Sequence, residues 1–350
     1  MTINDVLSFE RLYESMIKCC RGVIWKDSVA AYYLRGIERT LKLEKDLYEG
    51  KYKPGPVKHF RVLSPKPRDI ASIGIRDRIY QRTLNDNAIY PIMARSFIRA
   101  NCACQTGKGT DFARDYLKRF LRSYYLKYGT TGYVAQFDVH GYYPNMSHRV
   151  VKELLKGKLP ADVYPHVERI LDGQYDGDRG YNPGSQMIQI AGISLLNDLD
   201  HYIKERLHIR YYIRYMDDFI LIHQDKAHLE KCYAAIENYL QNRLELELNP
   251  KKSRIYGLED GIVFLGFTYR LTKTGKVLMQ ISSENVRRQR RKLKRLVHKV
   301  LRGNLPRKTV DEGFRTWCAH AGKGNSYKLL QRMKAYYKNL WKDGIANVKS

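Results

Sequence analysis

Tyr211-Tyr-Ile-Arg-Tyr-Met-Asp-Asp-Phe-Ile-Leu-Ile222 decides the reading of the whole chain. Ile209, Tyr211, Ile213 and Tyr215 alternate with Arg210, Tyr212 and Arg214, and Phe219 to Ile222 is a continuous apolar run. Period two followed by a β-rich run predicts strand, tight turn, strand. The turn carries Asp217 and Asp218 side by side. Adjacent carboxylates raise each other's pKa unless something positive meets them. A divalent cation is the natural partner, because hard ions take carboxylate oxygens. A solvated Asp-Asp turn is the alternative reading of these residues alone.

A second acid stands in a similar setting. In Gly132-Tyr-Val-Ala-Gln-Phe-Asp-Val-His-Gly-Tyr-Tyr-Pro144, Val134, Phe137 and Val139 mark a buried strand with Asp138 within it. A carboxylate among apolar strand residues calls for a partner or a metal. Two-metal phosphoryl transfer needs carboxylates that hold two ions about 4 Å apart, and Asp138 with Asp217-Asp218 supplies such a set.

Charge narrows the partner. Of 350 residues, 63 are Lys or Arg and 36 are Asp or Glu, a net +27. Such an excess suits a polyanion, most often nucleic acid, and 28 tyrosines add stacking surfaces. No run of eighteen apolar residues and no leader-like N-terminus is visible, so a cytoplasmic protein without a membrane partner is expected. The six cysteines lack zinc spacing and are expected to be free thiols.

Outward from the two acid segments, residues 1 to about 50 show helical spacing, ended by Lys53-Pro-Gly-Pro56. Lys58 to Arg68 alternates Phe60 and Val62 with cations and predicts a strand with an edge or turn at Pro65 and Pro67. Ile75 to Arg82 opens an Arg-rich helix, whose cations either grip phosphates or pair with acids. Gly107-Lys-Gly109 precedes a helix and offers amides and Lys108 to an anion. A long apolar helix is expected from Pro183 to about Leu207, an amphipathic helix over 226–243, a strand over Leu244–Leu248, and a strand pair over Ile262–Tyr269. Eleven Lys or Arg and no acid lie between Arg287 and Lys308, with a thin stripe of Leu293, Leu296, Val297 and Val300. That is a helix with one packed and one basic face, either a phosphate track or a solvated tail. Phe314 to Trp341 should close a small helical bundle.

The order of these pieces resembles the right-hand polymerase palm. Tyr215-Met-Asp-Asp218 resembles the reverse-transcriptase signature, and Phe137-Asp-Val-His-Gly-Tyr-Tyr143 resembles the first palm motif. Gly184-Ser-Gln-Met-Ile-Gln189 with Leu196-Asn-Asp-Leu-Asp-His201 is similar to bacterial reverse transcriptases. Arg61 to Arg82 and Gly107-Lys-Gly-Thr110 are similar to the fingers of the group II intron-like branch. Within it the likeness is greatest to diversity-generating retroelement enzymes and their uncharacterised or antiphage relatives, although Ile188 stands where their helix motif has Ser.

The resemblance implies an α+β fold: N-terminal helices and fingers over 1–130, a palm over 131–280 with some fingers elements, and a basic helical thumb over 281–350. It implies an RNA-directed DNA polymerase that copies a dedicated RNA by two-metal nucleotidyl transfer. Asp138, Asp217 and Asp218, assisted by the Val139 carbonyl, would hold two Mg²⁺ ions, with Mn²⁺ a substitute. Tyr143, five residues after Asp138, matches the aromatic ring under the sugar, where it would clash with a 2′-hydroxyl. Arg61, Lys66, Arg68, Gly184 and Gln189 match nucleotide-binding positions. Lys108, Arg287, Arg288, Arg291, Lys294 and Arg295 are the nucleic-acid contacts read from their charge. Partners would be the RNA template, a primer or cDNA, and dNTPs, with a structured noncoding RNA or small accessory protein as further candidates. The rivals are an RNA-templated RNA polymerase and an inactive RNA-binding or splicing-helper protein of the same fold.

Overall fold

The structure is a computed structural model describing residues 2–63 and 67–349. Four helices open the chain: α1 (Ile3–Val6), α2 (Phe9–Cys20), α3 (Asp27–Leu34) and α4 (Gly36–Tyr48). Strands β1 (Lys58–Val62) and β2 (Arg68–Ser72) follow, then α5 (Ile75–Leu84), a π-helical turn at Asn85–Ile89, α6 (Tyr90–Met93) and α7 (Thr110–Tyr128). Next come β3 (Tyr133–Asp138), α8 (Tyr142–Asn145), α9 (His148–Lys158), α10 (Tyr164–Gln174), α11 (Gln186–Leu195) and α12 (Asn197–His201). The predicted hairpin is β4 (Tyr211–Tyr215) and β5 (Asp218–His223), followed by α13 (Lys226–Leu244). The chain ends with β6 (Arg254–Gly257), β7 (Ile262–Phe264), β8 (Phe267–Leu271), β9 (Val277–Ile281), α14 (Ser283–Leu301), α15 (Arg307–Gly322) and α16 (Tyr327–Lys349). The central sheet has the order β4-β5-β3-β6.

Two compact units form, one of residues 1–113, 135–221 and 227–254, the other of 114–134, 222–226 and 255–350. In the first unit, α2 buries Leu12 and Met16 against α4 and α5. Gly36 lets the Met16 methyl pack close, since a Cβ there would come within 2.7 Å of it and push that flexible side chain aside. The outlying hairpin pairs β1 with β2 antiparallel, Phe60 opposite Ile70. Under the central sheet, Phe137 and Phe219 stack at 4.8 Å with an interplanar angle of 8°, which fixes β3 beside β5.

In the second unit, β7 and β8 turn through Leu265 and Gly266, both at positive φ, as a two-residue hairpin requires. Arg114 donates to the Leu265 carbonyl and lies over the Phe267 ring. Helices α14, α15 and α16 close on Leu293, Val310, Phe314 and Met333. That bundle is the expected one, with Ser282 capping α14 by accepting from the Asn285 N–H.

Three expectations about elements change. No strand spans Leu244–Leu248: α13 runs to Leu244, Glu245 turns at φ +55°, and only Leu248 bridges Val139. Glu245 is held there by Arg149 and Arg179, so alternating leucines are buried without a ladder. The long apolar helix is broken at Leu196 (φ −91°, ψ 5°), and Tyr202–Arg206 is wound as a π-helical turn. The polar, Gly-rich stretch Asp172 to Asn182 reads as a loop in the sequence, but the loop begins only after Gln174, because α10 continues that far.

Candidate active site

The hairpin tip is built under constraint. Met216 takes φ +59° at the first loop position, which ordinarily favours glycine. Arg214 holds it there: its Nη1 donates to the Met216 carbonyl at 2.9 Å. The same guanidinium donates through Nε and Nη2 to Asp200, at 2.6 and 2.5 Å, and to the Ile193 carbonyl at 3.1 Å. Tyr212 donates to Asp200 as well. Arg214 and Asp200 are both completely buried. Sequence alternation put Arg214 on the polar face of β4, whereas its position and the flanking Tyr212 and Ile213 are all buried. A buried charge pair of this kind holds a register, since loss of either partner strands the other charge.

Asp138 ends β3. Lys252 donates to both its carboxylate oxygens, at 2.7 and 2.8 Å, and Asn249 Nδ2 donates to Oδ2 at 3.1 Å. His140 N–H donates to the Glu247 carbonyl and Asn249 N–H to the Asp138 carbonyl, both at 2.8 Å. These bonds flank the Val139–Leu248 bridge, which makes it a non-hydrogen-bonded pair, so the Val139 carbonyl points away from Leu248. Asp218 accepts from Gln136 Nε2 at 3.4 Å.

The two tip acids are both shifted upward. Burial raises Asp217, and the charge of Asp138 adds to it, against its own backbone N–H, Lys252 and Arg214. Burial likewise raises Asp218, to about 7, with the charges of Asp217 and Asp138 added and Gln136 and Lys252 opposing. Two half-buried acids held up by burial and like charge are a site that demands positive charge. Oxygen donors of this kind fit a hard divalent ion. Among the described residues no three His, Cys, Asp or Glu side chains are already gathered at ligand distance. The Lys252 ammonium occupies both oxygens of Asp138 instead, standing where a cation would.

The aromatic step lies alongside. Tyr142 donates to the Gly192 carbonyl, and the Tyr143 ring lies against Gly192. A Cβ at Gly192 would sit 3.0 Å from the Tyr143 hydroxyl and 3.2 Å from Cε1. Gly184 allows the Ala71 carbonyl of β2 to approach, leaving 3.1 Å to a Cβ there. Gln189 donates to the Pro183 carbonyl at 2.9 Å, and Cys104 Sγ lies 3.7 Å from its Oε1 and 3.5 Å from Met216 Sδ.

The basic residues divide. Arg287, Arg288, Arg291, Lys294 and Arg295 are all exposed on α14, while Leu293 and Val297 face the bundle. Arg61 is exposed and 3.6 Å from its cross-strand neighbour Asp69. Lys66 and the Arg68 side chain lie outside the described residues. Lys108 turns inward: its ammonium donates to the Asn101 carbonyl at 2.8 Å and the Ile98 carbonyl at 3.3 Å. It ties the loop before α7. In the Arg-rich helix α5, Arg82 pairs with Asp86 and Arg76 donates to the Lys53 carbonyl, which is the acid-pairing alternative for Arg82.

Sequence reasoning gave no role to Arg214, Asp200, Lys252, Asn249 or Gln136, while Gly192 reads from the sequence as a point of close approach. One signal was present: Asp200 falls on the apolar face of its helix, one residue after Leu199 and three before Ile203. The six cysteines are free, as expected. No helix among the described residues is long and apolar enough to cross a membrane.

A β3 acid beside a two-acid hairpin tip, on a four-stranded sheet with helices, is the palm of a right-hand polymerase. Residues 66–269, more than half of the chain, match the family described as reverse transcriptase (RNA-dependent DNA polymerase), and the chain belongs to that family. It is similar to Protein YkfC of Escherichia coli (strain K12), 24% identical over 268 residues, covering 64% of this chain and 69% of that protein. Its fold is similar to telomerase from Candida albicans, solved with a TWJ fragment of telomeric RNA, at a TM-score of 0.50 and 12% identity. That likeness covers 83% of this chain and 55% of the telomerase chain, so the chain spans about half the length of that relative.

Proposed function

We propose that this protein is an RNA-directed DNA polymerase that extends a primer with dNTPs along a dedicated RNA template. One observation carries the reading: β3, which ends on Asp138, pairs with β5, which begins on Asp218 of the two-acid tip, and Gln136 of β3 donates to Asp218. Together with the Val139 carbonyl, Asp138, Asp217 and Asp218 would hold two Mg²⁺ ions, with Mn²⁺ a substitute, which when bound supply an acidified primer hydroxyl and a neutralised triphosphate. Arg214 keeps the tip in place by its bond to the Met216 carbonyl, so the two tip acids arrive preorganised. Lys252 neutralises Asp138 in the metal-free site, and with ions held there it would stand as an ammonium beside the phosphates.

Tyr143, backed by Gly192, forms a fixed floor for the deoxyribose and excludes a 2′-hydroxyl. This favours DNA synthesis over RNA-templated RNA synthesis. Gln189 and Gly184 line the nucleotide and template side, and Arg61, Lys66 and Arg68 hold the triphosphate. The exposed cations of α14 track the backbone of the bound nucleic acid. Likeness in the fingers and helix motifs supports a retroelement of the sequence-diversifying or phage-defence kind, with a structured noncoding RNA or small accessory protein as partner.

Primer extension on an RNA template tests the reading. Asp217→Ala/Asp218→Ala is expected to abolish synthesis while RNA binding, measured by anisotropy, stays within about twofold, since the α14 cations are untouched. Synthesis retained in that variant would overturn the catalytic assignment. Tight RNA binding by the wild type with no metal-dependent synthesis would favour the inactive RNA-binding alternative.

A further inference from the structure

Helix α4 carries a second apolar row besides the one its own core uses. Gly36, Thr40, Leu43 and Leu47 are buried, and the helix packs against α2. Ile37, Leu41, Glu44 and Tyr48 fall at i, i+4, i+7 and i+11, so they share another face, about 16 Å long. That face is open: Ile37 is 59% exposed, Leu41 47% and Tyr48 79%, and Leu34, at the turn just before the helix, is 84% exposed. A soluble chain rarely leaves such a row uncovered. Glu44, the polar member, is turned to its own chain, where it accepts from the Phe9 N–H at 2.7 Å.

Charge narrows what can cover it. The chain has a net +27, yet in α4 the acids Glu38, Glu44 and Asp46 balance the bases Arg39, Lys42 and Lys45. A neutral, apolar face offers nothing to phosphates. Glu38 and Lys45 each directly follow a position of the row, two helical turns apart, so they stand on one edge of it, and both are exposed. When two copies of the helix pack antiparallel, that edge meets itself. Glu38 then faces Lys45 of the partner subunit, and Lys45 faces the partner subunit's Glu38. The same two-fold, centred on Leu41, brings Leu34 to Tyr48 of the partner subunit. Beside Tyr48, a cavity of about 560 Å³ is lined by Ile3, Leu7 and Leu47, so the most exposed leucine of the face meets an apolar receptor.

We propose that two copies of this chain pair through α4, antiparallel about a two-fold axis at Leu41, with Leu34 of each copy seated beside Tyr48 of the other. Such an interface is isologous, and the row, its charged edge and its groove are self-complementary as that symmetry requires. At about 200 Å² per large side chain, Leu34, Ile37, Leu41 and Tyr48 together expose roughly 500 Å². Pairing covers roughly 1,000 Å² over both copies, the lower bound for a specific interface.

Sedimentation equilibrium of the full chain, freed of nucleic acid, over about 1 to 100 µM is the test. A dimer is expected with a Kd on the order of 10 µM, as the small area implies. Leu41→Glu sets two carboxylates against each other at the two-fold centre and should weaken pairing at least about a hundredfold. Leu41 is exposed in the single chain, so folding should be intact, as circular dichroism checks. Glu38→Lys and Lys45→Glu should each weaken self-pairing about tenfold, since each turns both ion pairs repulsive. Mixed one to one, these two variants should pair with each other at close to wild-type strength, because both ion pairs return. Wild type that stays monomeric at the top of the concentration range overturns the proposal. So does a dimer indifferent to Leu41→Glu, or a mixture of the two charge variants that pairs no better than either alone. A monomeric wild type whose RNA affinity falls in Leu41→Glu would assign the face to nucleic acid instead.

Discussion

Asp218→Asn should stabilise the metal-free protein, and only at high pH. The folded state raises this carboxyl from 3.8 to about 7, mainly by burial. The charged form is therefore disfavoured by about 4 kcal/mol, at 1.36 kcal/mol per pH unit. Between pH 4 and 7 the folded chain keeps a proton that the unfolded chain releases. The unfolded state then binds fewer protons, so stability falls as pH rises through that window and levels off above it. Asparagine never ionises and can still meet Gln136. The variant should match wild type near pH 4, gain about 1.6 kcal/mol at pH 5 and approach about 4 kcal/mol at pH 8. Urea unfolding in EDTA, followed by circular dichroism at those three pH values, measures it. Added Mg²⁺ should close the gap by stabilising wild type alone. A gain that is absent at pH 8, or the same at pH 4 as at pH 8, would refute the claim that the tip stores unfavourable charge.

Arg214→Leu should cost about 3–5 kcal/mol, because it leaves Asp200 buried and unpaired; thermal unfolding reads this, and a loss below about 1 kcal/mol would count against the anchoring role. Gly192→Ala should push the Tyr143 ring aside by a few tenths of an ångström. Steady-state incorporation should then show the dNTP-over-rNTP preference altered by about tenfold or more, with overall stability changed by under about 3 kcal/mol. An unchanged preference would mean that Gly192 does not set the position of that ring.

The hairpin was legible because its evidence is local. Period-two residues, two acids and an apolar run lie within a dozen positions, and the structure places its strands at Tyr211–Tyr215 and Asp218–His223. The helices were legible for the same reason, down to the packed Leu293–Val297 stripe of α14. What was hidden depends on contacts remote in sequence. Lys252 meets Asp138 across 114 residues, and Cys104 meets Met216 across 112. Arg214 looked like the polar beat of an alternating strand, because its partner lies fourteen residues away on another element, and the one trace was Asp200 on the apolar face of its helix. Lys108 looked like an anion contact, since a glycine-flanked lysine reads the same whether it faces phosphate or the carbonyls of its own loop. Leu244 to Leu248 alternates like a strand, but a positive φ at Glu245 stops the ladder that alternation alone suggests.

Binding of Mn²⁺ by electron paramagnetic resonance tests most directly whether the three acids act as one cation site. Wild type is expected to bind two ions, more tightly at pH 8 than at pH 6 as Asp218 ionises. Asp138→Asn, Asp217→Asn and Asp218→Asn should each weaken binding at least about tenfold, the scale of one lost charged ligand. Undiminished binding in the triple variant would contradict the account.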